Sequence, residues 1–287
     1  IKNVAKIVIG YLKKRYKVIV VSSAMSGETN KLIKLAQKTS NNFISSEYDT
    51  LVSTGEQISC SLISGRLNDQ GYPARSWLGW QVPIYTTGKY SHSRIVNINK
   101  KNILKFLKMG GVPIIAGFQG INSENRITTI GRGGSDASAI MIAKFFKAKK
   151  CIIYTDVEGV YTTDPNLVPK AKKIEKISYE EMLEMASLGA KVMQPHSIQD
   201  ARLNRIDIEV RSSFKNVSGS LITKKKNVSA KNIIRGVSFT KNDAKITLVG
   251  VKDRPGVAAT IFEPLFRNSI NVDMVVQNIS YSKKETD

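Results

Sequence analysis

Midway along the chain, GRGGSDASA (Gly131 to Ala139) sets glycines, an arginine and an aspartate directly ahead of an apolar run. Glycine lets backbone N–H groups approach a ligand closely, and a helix start offers unpaired N–H groups with a partial positive charge, so the natural guest is an anion. Arg132 adds a planar fork matched to a carboxylate or a phosphate, with Gly133 and Gly134 leaving room beside it. Asp136 is either a plain capping group or a charged participant. The stretch has neither the lysine that follows the second glycine of a P-loop nor the spacing of a dinucleotide fingerprint, so a tight turn ahead of a helix is the competing reading.

Other residues fall where the same crevice would lie. YTDVEGVYTTDP (Tyr154 to Pro165) puts Thr155 and Asp156 at the C-terminal end of a strand, where open α/β sheets bind ligands. Asp156 suits a ribose hydroxyl or a metal, or simply starts a turn. Ser23, Thr29, Thr54 and Glu56 occupy further strand-to-helix regions. Glu56 stands out because a lone carboxylate in an otherwise apolar helix is costly unless paired, which favours a binding role. Lys191, after ASLGA, is a surface lysine or a cation reaching phosphate.

These residues need a sheet to carry them. Ile1, Val4, Ala5, Val8, Tyr11 and Leu12 recur at helical spacing, and Lys17 to Val21 reads as a buried strand. Leu32, Ile33 and Ala36 continue as a helix, and another helix is expected from about Tyr48 to Asn68. Short strands and turns follow, then a helix through Ile103 to Leu107 stopped by Gly110 and Gly111. VPIIAGFQG is a strand entering a glycine turn, Ala137 to Phe146 a helix, and KKCIIYT a strand. In SYEEMLEMASLGAK, Ser178 and Glu181 form a capping box and Gly189 sits at the C-terminal cap. IDIEVRSS is a further strand. Strands alternating with helices predict a mostly parallel sheet covered on both faces, a three-layer α/β/α sandwich. After Phe214 the chain turns polar and lysine-rich. From Ile233 a different rhythm begins: AKITLVGV as strand, DRPG as turn, VAATIFEPLF as helix and INVDMVVQ as strand. The chain stops at KKETD before another strand is expected, leaving exposed edges.

Composition narrows the classes. At 287 residues and 41% hydrophobic content the chain is long enough for one large domain and a small one, and it holds no apolar run that would span a membrane. It opens on Ile1 rather than Met, which hints at a natural start upstream. Cys60 and Cys151 cannot build a disulfide framework and suit a reducing cytosol, so a cytoplasmic location is expected. With only His92 and His196 and no cysteine pair, a structural zinc site is not expected, and any metal should be a hard cation held by carboxylates and phosphates. The net charge is +21, yet the lysines are spread along the chain and no aromatics interleave with them, so nucleic acid is not the expected partner. The positive field instead helps to attract anionic substrates.

In this order, VVSSAMSGETN, LVSTGEQIS, AGFQG, TIGRGGSDASA, YTDVEGVYTTDP, MASLGAKVMQPHS and ITLVGVKDRPGVAATIFEPL resemble the aspartate kinases of the amino-acid-kinase family, over nearly the whole chain. DRPG resembles the turn of an ACT domain. The resemblance implies a catalytic domain at 1–230 and a partial, ferredoxin-like ACT domain at 231–287. It implies ATP-dependent phosphorylation of the L-aspartate side-chain carboxylate with Mg²⁺, the first step towards lysine (through diaminopimelate), threonine and methionine. Arg132 would clamp the substrate carboxylate, Glu56 would meet the ammonium group, and Ser135 and Thr54 would contact the amino acid, with Gly133 and Gly134 beside them. Asp136 would organise the transfer centre. Ser23 and Thr29 would lie near the phosphates or the substrate. Thr155, Asp156, Tyr161 and Asp164 would hold the nucleotide, and Lys191 would approach its phosphates. Family ACT units sense lysine or threonine, often where copies assemble, which points to Asp253, Val257, Ala258, Asn271 and Asp273 and to a homo-oligomer.

The sequence departs from the pattern in places. The family begins with a strand carrying Lys-x-Gly-Gly, whose lysine meets the transferring phosphoryl group, and this chain opens in the helix after it. Asn166 stands where an arginine usually follows Asp-Pro. The regulatory region should hold a second ACT unit. Slow turnover is therefore expected unless the upstream strand is restored. The alternatives are a non-catalytic remnant or amino-acid-binding subunit, or a glutamate or acetylglutamate kinase of the same fold.

Overall fold

A computed structural model of the chain describes residues 1–131, 133–190, 192–224, 234–239, 244–252, 254–268, 270, 272, 275, 276, 285 and 286. The chain divides into two units, Ile1–Phe239 and Thr240–Asp287.

The larger unit opens with α1 (Lys2–Lys13), β1 (Val20–Ser22), α2 (Glu28–Thr39), α3 (Ser45–Val52) and α4 (Thr54–Asp69). Next come β2 (Ala74–Trp77), β3 (Ile84–Thr86), β4 (Ile95–Ile98), α5 (Lys101–Lys108), β5 (Val112–Ala116), β6 (Gln119–Ile121) and β7 (Ile127–Thr129). Then follow α6 (Gly134–Phe145), β8 (Cys151–Thr155), β9 (Val160–Tyr161), β10 (Lys173–Ile174), β11 (Lys176–Ser178), α7 (Tyr179–Ser187), α8 (Pro195–Asn204), β12 (Ile208–Ser212) and β13 (Ser220–Thr223).

β5 is the central strand of a wholly parallel sheet in the order β1-β5-β2. All of its residues are buried, as expected of a strand covered on both faces. Its alternate residues serve two cores. Val112, Ile114 and Ala116 pack with Ala5 and Val8 of α1 and Cys60, Ile63 and Leu67 of α4. Ile115 faces the other way, into a core with Ile103 and Leu107 of α5 and Ile142 of α6. A second sheet, β11-β13-β12-β8, carries α6, α7 and α8, with Ile140, Met182 and Ile198 packed onto Ile153, Ile208, Val210 and Ile222. Its pairings are parallel apart from β12 with β13. Helix α6 touches both β1 and β8 and so ties the two sheets together. A third sheet, β4-β3-β6-β7, leads the chain into the glycine loop.

Several elements differ from the sequence reading, each for a local reason. The expected helix from Tyr48 to Asn68 is two helices that break at Ser53. There the Ser53 carbonyl accepts the Gln119 side-chain amide at 3.1 Å, and Ser53 and Thr54 hydroxyls donate back to the Thr50 and Leu51 carbonyls at 2.9 and 2.7 Å. β1 is shorter than Lys17 to Val21 because its ladder to β5 runs only from Val20 to Ser22. α6 starts at Gly134 rather than Ala137, since Gly133 at φ +68° supplies the left-handed turn at the helix start. The letters Lys-x-Gly-Gly do occur, at Lys108 to Gly111, but there Gly110 (φ +81°) ends α5 ahead of β5, at the opposite end of the sheet from the glycine loop. The capping box of α7 forms as read, with Ser178 Oγ accepting from the Glu181 N–H at 3.1 Å and Glu181 from the Ser178 N–H at 2.9 Å.

In the smaller unit, α9 (Val257–Arg267) follows β14 (Val251–Lys252), which pairs antiparallel with β15 (Glu285–Thr286). AKITLVGV is therefore a strand only at its end, and KKETD carries the short strand it was not expected to hold. Ile246 and Val249 are largely exposed, because an alternating pattern makes a strand only where neighbouring strands receive it. Among the described residues, α9 buries no side chain and Phe266 stands 82% exposed. Much of INVDMVVQ lies outside the described residues.

Candidate active site

The site grows from the C-terminal ends of β1 and β5. The Gly117 N–H, just past β5, donates to the Ser22 carbonyl at 3.0 Å and keeps the two strand ends together. Ser22 Oγ and Ser59 Oγ of α4 lie 2.9 Å apart, and Ser59 Oγ donates to the Ser23 carbonyl at 2.7 Å. The first turns of α4 are thus held against the loop after β1. A Cβ on Gly55 would lie 2.9 Å from the Ala24 Cβ, so only glycine permits this approach.

That contact places Glu56. It is 4% exposed, and its Oε1 accepts the Ala24 N–H at 3.1 Å. Its Oε2 is buried with no hydrogen-bond partner among the described residues. Burial outweighs the backbone hydrogen bonds and lifts its pKa to about 7. A buried carboxylate oxygen without a partner is costly, and a cation or a strong donor would relieve that cost.

The glycine loop closes in from the other side. Gly117 packs directly on Ser135 of α6, where an added Cβ would sit 3.0 Å from the Ser135 Oγ. Phe118, in the left-handed region at φ +65°, covers Gly134 and donates its N–H to Ser138 Oγ at 3.1 Å. Gly133 is hemmed in by Gln194 and His196 at the start of α8, and its carbonyl accepts from Ser197 Oγ at 3.3 Å. Among the described residues no side chain caps α6; its Gly134 N–H donates to the Gly131 carbonyl at 3.0 Å, which leaves the Ser135 and Asp136 N–H groups as the orphan donors of the first turn. Burial pushes the Asp136 carboxyl up to about 6.

The remaining candidates distribute as follows. α6 spans about 18 Å from this point and β8 returns nearly the same length, so Thr155 comes back to the same end of the fold. Thr155 Oγ1 donates to Asp156 Oδ1 at 3.0 Å. The Tyr161 hydroxyl contacts Glu158 at 3.4 Å, which is itself paired to Lys215 at 2.6 Å. Asp164 folds its own turn by accepting the Asn166 N–H at 2.9 Å. Thr54 spends its hydroxyl on the Leu51 carbonyl. Ser23 is exposed, and Thr29 lies half-buried in the first turn of α2. Val257 is half-buried and Ala258 exposed at the start of α9. Arg132, Lys191, Asp253, Asn271 and Asp273 lie outside the described residues. The structure adds residues not singled out by sequence: Ser59, the Ala24 N–H, Gln119 and above all Asp49, a buried acid whose only hint was its place beside Val52 on the inner face of α3. Among the described residues no three acidic, histidine or cysteine side chains gather as a metal cage, and no helix is long and apolar enough to cross a membrane.

An α/β sandwich that gathers a glycine-loop helix start and a buried glutamate at the C-terminal ends of β1 and β5 has the layout of an α/β ligand site, and comparison with known proteins gives its family. The family model for the amino acid kinase family matches residues 1–212, and one for an ACT domain matches residues 246–285. The chain belongs to the amino acid kinase family. It is 47% identical over 264 residues to an aspartate kinase of Pseudomonas putida, covering 92% of this chain and 64% of that protein. It is 43% identical over 283 residues to an aspartokinase of Geobacillus stearothermophilus, covering 99% and 70%. Among solved structures, aspartokinase III of E. coli in complex with aspartate and ADP superposes with a TM-score of 0.69 at 27% identity, covering 90% of this chain and 57% of that one. The chain thus spans less than two thirds of the length of the Pseudomonas putida relative.

Proposed function

We propose that the chain is the catalytic portion of an aspartate kinase, joined to an ACT unit. The observation that carries this reading is the buried, unpartnered oxygen of Glu56, held by the loop after β1 while Gly117, bonded to the end of that same strand, packs on Ser135 at the start of α6. The pair suits an α-amino acid, with the ammonium on Glu56 and a carboxylate at Arg132 and the loop. The relatives named as aspartate kinases, and the E. coli structure holding aspartate and ADP, support L-aspartate as the acceptor and ATP as the donor.

In the reaction, an oxygen of the aspartate side-chain carboxylate attacks the γ-phosphorus. The bond from that phosphorus to the β,γ-bridging oxygen breaks, giving 4-phospho-L-aspartate and ADP. That carboxylate is already ionised near neutral pH, so the protein needs no strong base and acts by positioning and charge neutralisation. Glu56, Thr54 and Ser135 orient the amino acid. The α6 N-terminus, with Asp136 in its first turn, meets developing charge, and the resemblance to aspartate kinases gives Lys191 the same task. Thr155, Asp156, Tyr161 and Asp164 hold the nucleotide. Mg²⁺ would be carried on the ATP phosphates and would neutralise charge there.

The domain boundary near residue 230, assembly of copies through the ACT unit, and lysine or threonine as effector belong to the same reading. An E. coli aspartokinase III structure in complex with lysine and aspartate supports lysine. Two buried free thiols fit work in the reducing cytosol.

The deciding experiment incubates the purified 287-residue chain with ATP, Mg²⁺ and either L-aspartate or L-glutamate. Hydroxylamine then traps any acyl phosphate. Aspartyl hydroxamate is the expected product. Glutamyl hydroxamate in its place would sink the proposal.

A further inference from the structure

Asp49 is 0% exposed, and its hydrogen bonds go to residues other than Glu56 and the glycine loop. Its two oxygens accept four hydrogen bonds. Oδ2 takes the Ser91 N–H at 2.8 Å and the Thr129 N–H at 2.7 Å. Oδ1 takes the Ser91 and Thr129 hydroxyls, both at 2.9 Å. No cation pairs with it among the described residues, so neutral donors alone hold a buried acid. The two backbone N–H groups can only donate, which fixes Oδ2 as an acceptor, and the two hydroxyls turn to suit Oδ1.

The two partners flank the glycine loop. Thr129 ends β7, two residues before Gly131, and its carbonyl accepts the Ser93 N–H at 3.0 Å. The Ser91 carbonyl lies 3.0 Å from where a Cβ on Gly131 would stand, so this turn is the wall against which the loop begins. Asp49 itself belongs to α3, whose end turns at Ser53 into the helix bearing Glu56. One carboxylate therefore fastens the stem of the anion loop to the helical elbow that presents the ammonium-binding glutamate. The candidate nucleotide residues hang on β8 and β9, and no hydrogen bond of Asp49 reaches them.

We infer that Asp49 is a positioning residue that fixes the spacing between Glu56 and the glycine loop. It thereby sets affinity for the amino-acid substrate while leaving the nucleotide half alone. This rests on the amino-acid site proposed above. A loss of positioning of about 1 Å at such a site costs one to two orders of magnitude, so roughly tenfold weaker L-aspartate binding is expected for D49N and more for D49A. Asn keeps the shape and turns its NH₂ toward the two hydroxyls, which rotate to accept. It should therefore recover part of what alanine loses.

The experiment measures calorimetric binding of L-aspartate and, separately, of a non-hydrolysable ATP analogue to wild type, D49N and D49A. It is paired with hydrogen–deuterium exchange on the unliganded proteins. Weaker aspartate binding, unchanged nucleotide binding and faster exchange confined to 87–93 and 127–137 would support the inference. Unchanged aspartate affinity in a folded D49A would overturn it. So would losses of both ligands in parallel with exchange raised through β8 and β12, which would mark a purely structural role. If the wild type binds no L-aspartate, the functional reading fails on its own. Exchange then decides the positioning: unaltered loop exchange in D49A would overturn it.

Discussion

One oxygen of Glu56 accepts the Ala24 backbone N–H at 3.1 Å, and its other oxygen is buried without a partner among the described residues. The short loop after β1 therefore pins the carboxylate and leaves half of its capacity unused. With burial raising its pKa to about 7, the unliganded side chain is largely protonated at pH 6 and largely ionised at pH 8. An ammonium group binds the ionised form. L-Aspartate binding should then release close to one proton at pH 6 and almost none above pH 8. Its affinity should rise up to about tenfold per pH unit below 7 and level off above that. Calorimetry in buffers of different ionisation enthalpy reads both. Flat affinity with no proton release at pH 6 would remove Glu56 as the ammonium partner.

The same residue makes a stability prediction. Its folded pKa lies above its ordinary value of 4.5, so its contribution to stability is complete below about pH 4.5 and is lost as pH rises towards 7. Asp136 acts in the same direction, between its ordinary 3.8 and about 6. Glu56→Gln removes the larger part of this slope. Without ligand, E56Q should melt higher than wild type at pH 8, by up to about 3 kcal/mol in unfolding free energy, and close to it at pH 5. It should also fail to bind L-aspartate. Identical melting of the two proteins at both pH values would show that the carboxylate is not held in a desolvated site.

Much of this was legible in the sequence because it rests on local rules. Glycine placement marked the α6 turn, the Ser178–Glu181 box set the start of α7, and VPIIA read as a strand, which the structure buries at every residue. A lone acid in an apolar helix drew attention to Glu56 before any partner was visible. What the sequence hid depends on distant pairs. Asp49 meets Thr129 across 80 residues, and Ser53 breaks a helix because Gln119 reaches in from β6. Neither separation leaves a periodic trace. AKITLVGV erred the other way: its alternation is real, but a strand also needs a neighbour to bond.

The two thiols should be inert. Cys60 is fully buried and Cys151 nearly so, and burial pushes their pKa values up to about 11 and about 12. The thiolate is the reactive species, so Ellman's reagent should find almost nothing in the native protein at pH 8 and two equivalents in guanidinium chloride. A thiol that reacts within seconds in the native state would contradict the packing of β8 or of α4 against β5.

Gly133 and Gly65 should respond to alanine in opposite senses. Gly133 sits at φ +68°, and a Cβ there would stand 2.5 Å from Gln194 Cγ and 2.9 Å from its Cβ, too near that residue's backbone for a rotamer change to relieve. The left-handed strain alone costs about 1–2 kcal/mol, and pushing the start of α8 away from α6 adds to it. Gly65 lies inside α4 with nothing within 4 Å of an added Cβ, so alanine there should stabilise by about 0.5–1 kcal/mol. Thermal melts should separate the two variants by several degrees, with G133A below wild type and G65A above it. G133A should also lose L-aspartate affinity, because the loop that receives the carboxylate is displaced with Gln194. A G133A protein that melts and binds like wild type would show that the loop does not hold the glycine turn described for it.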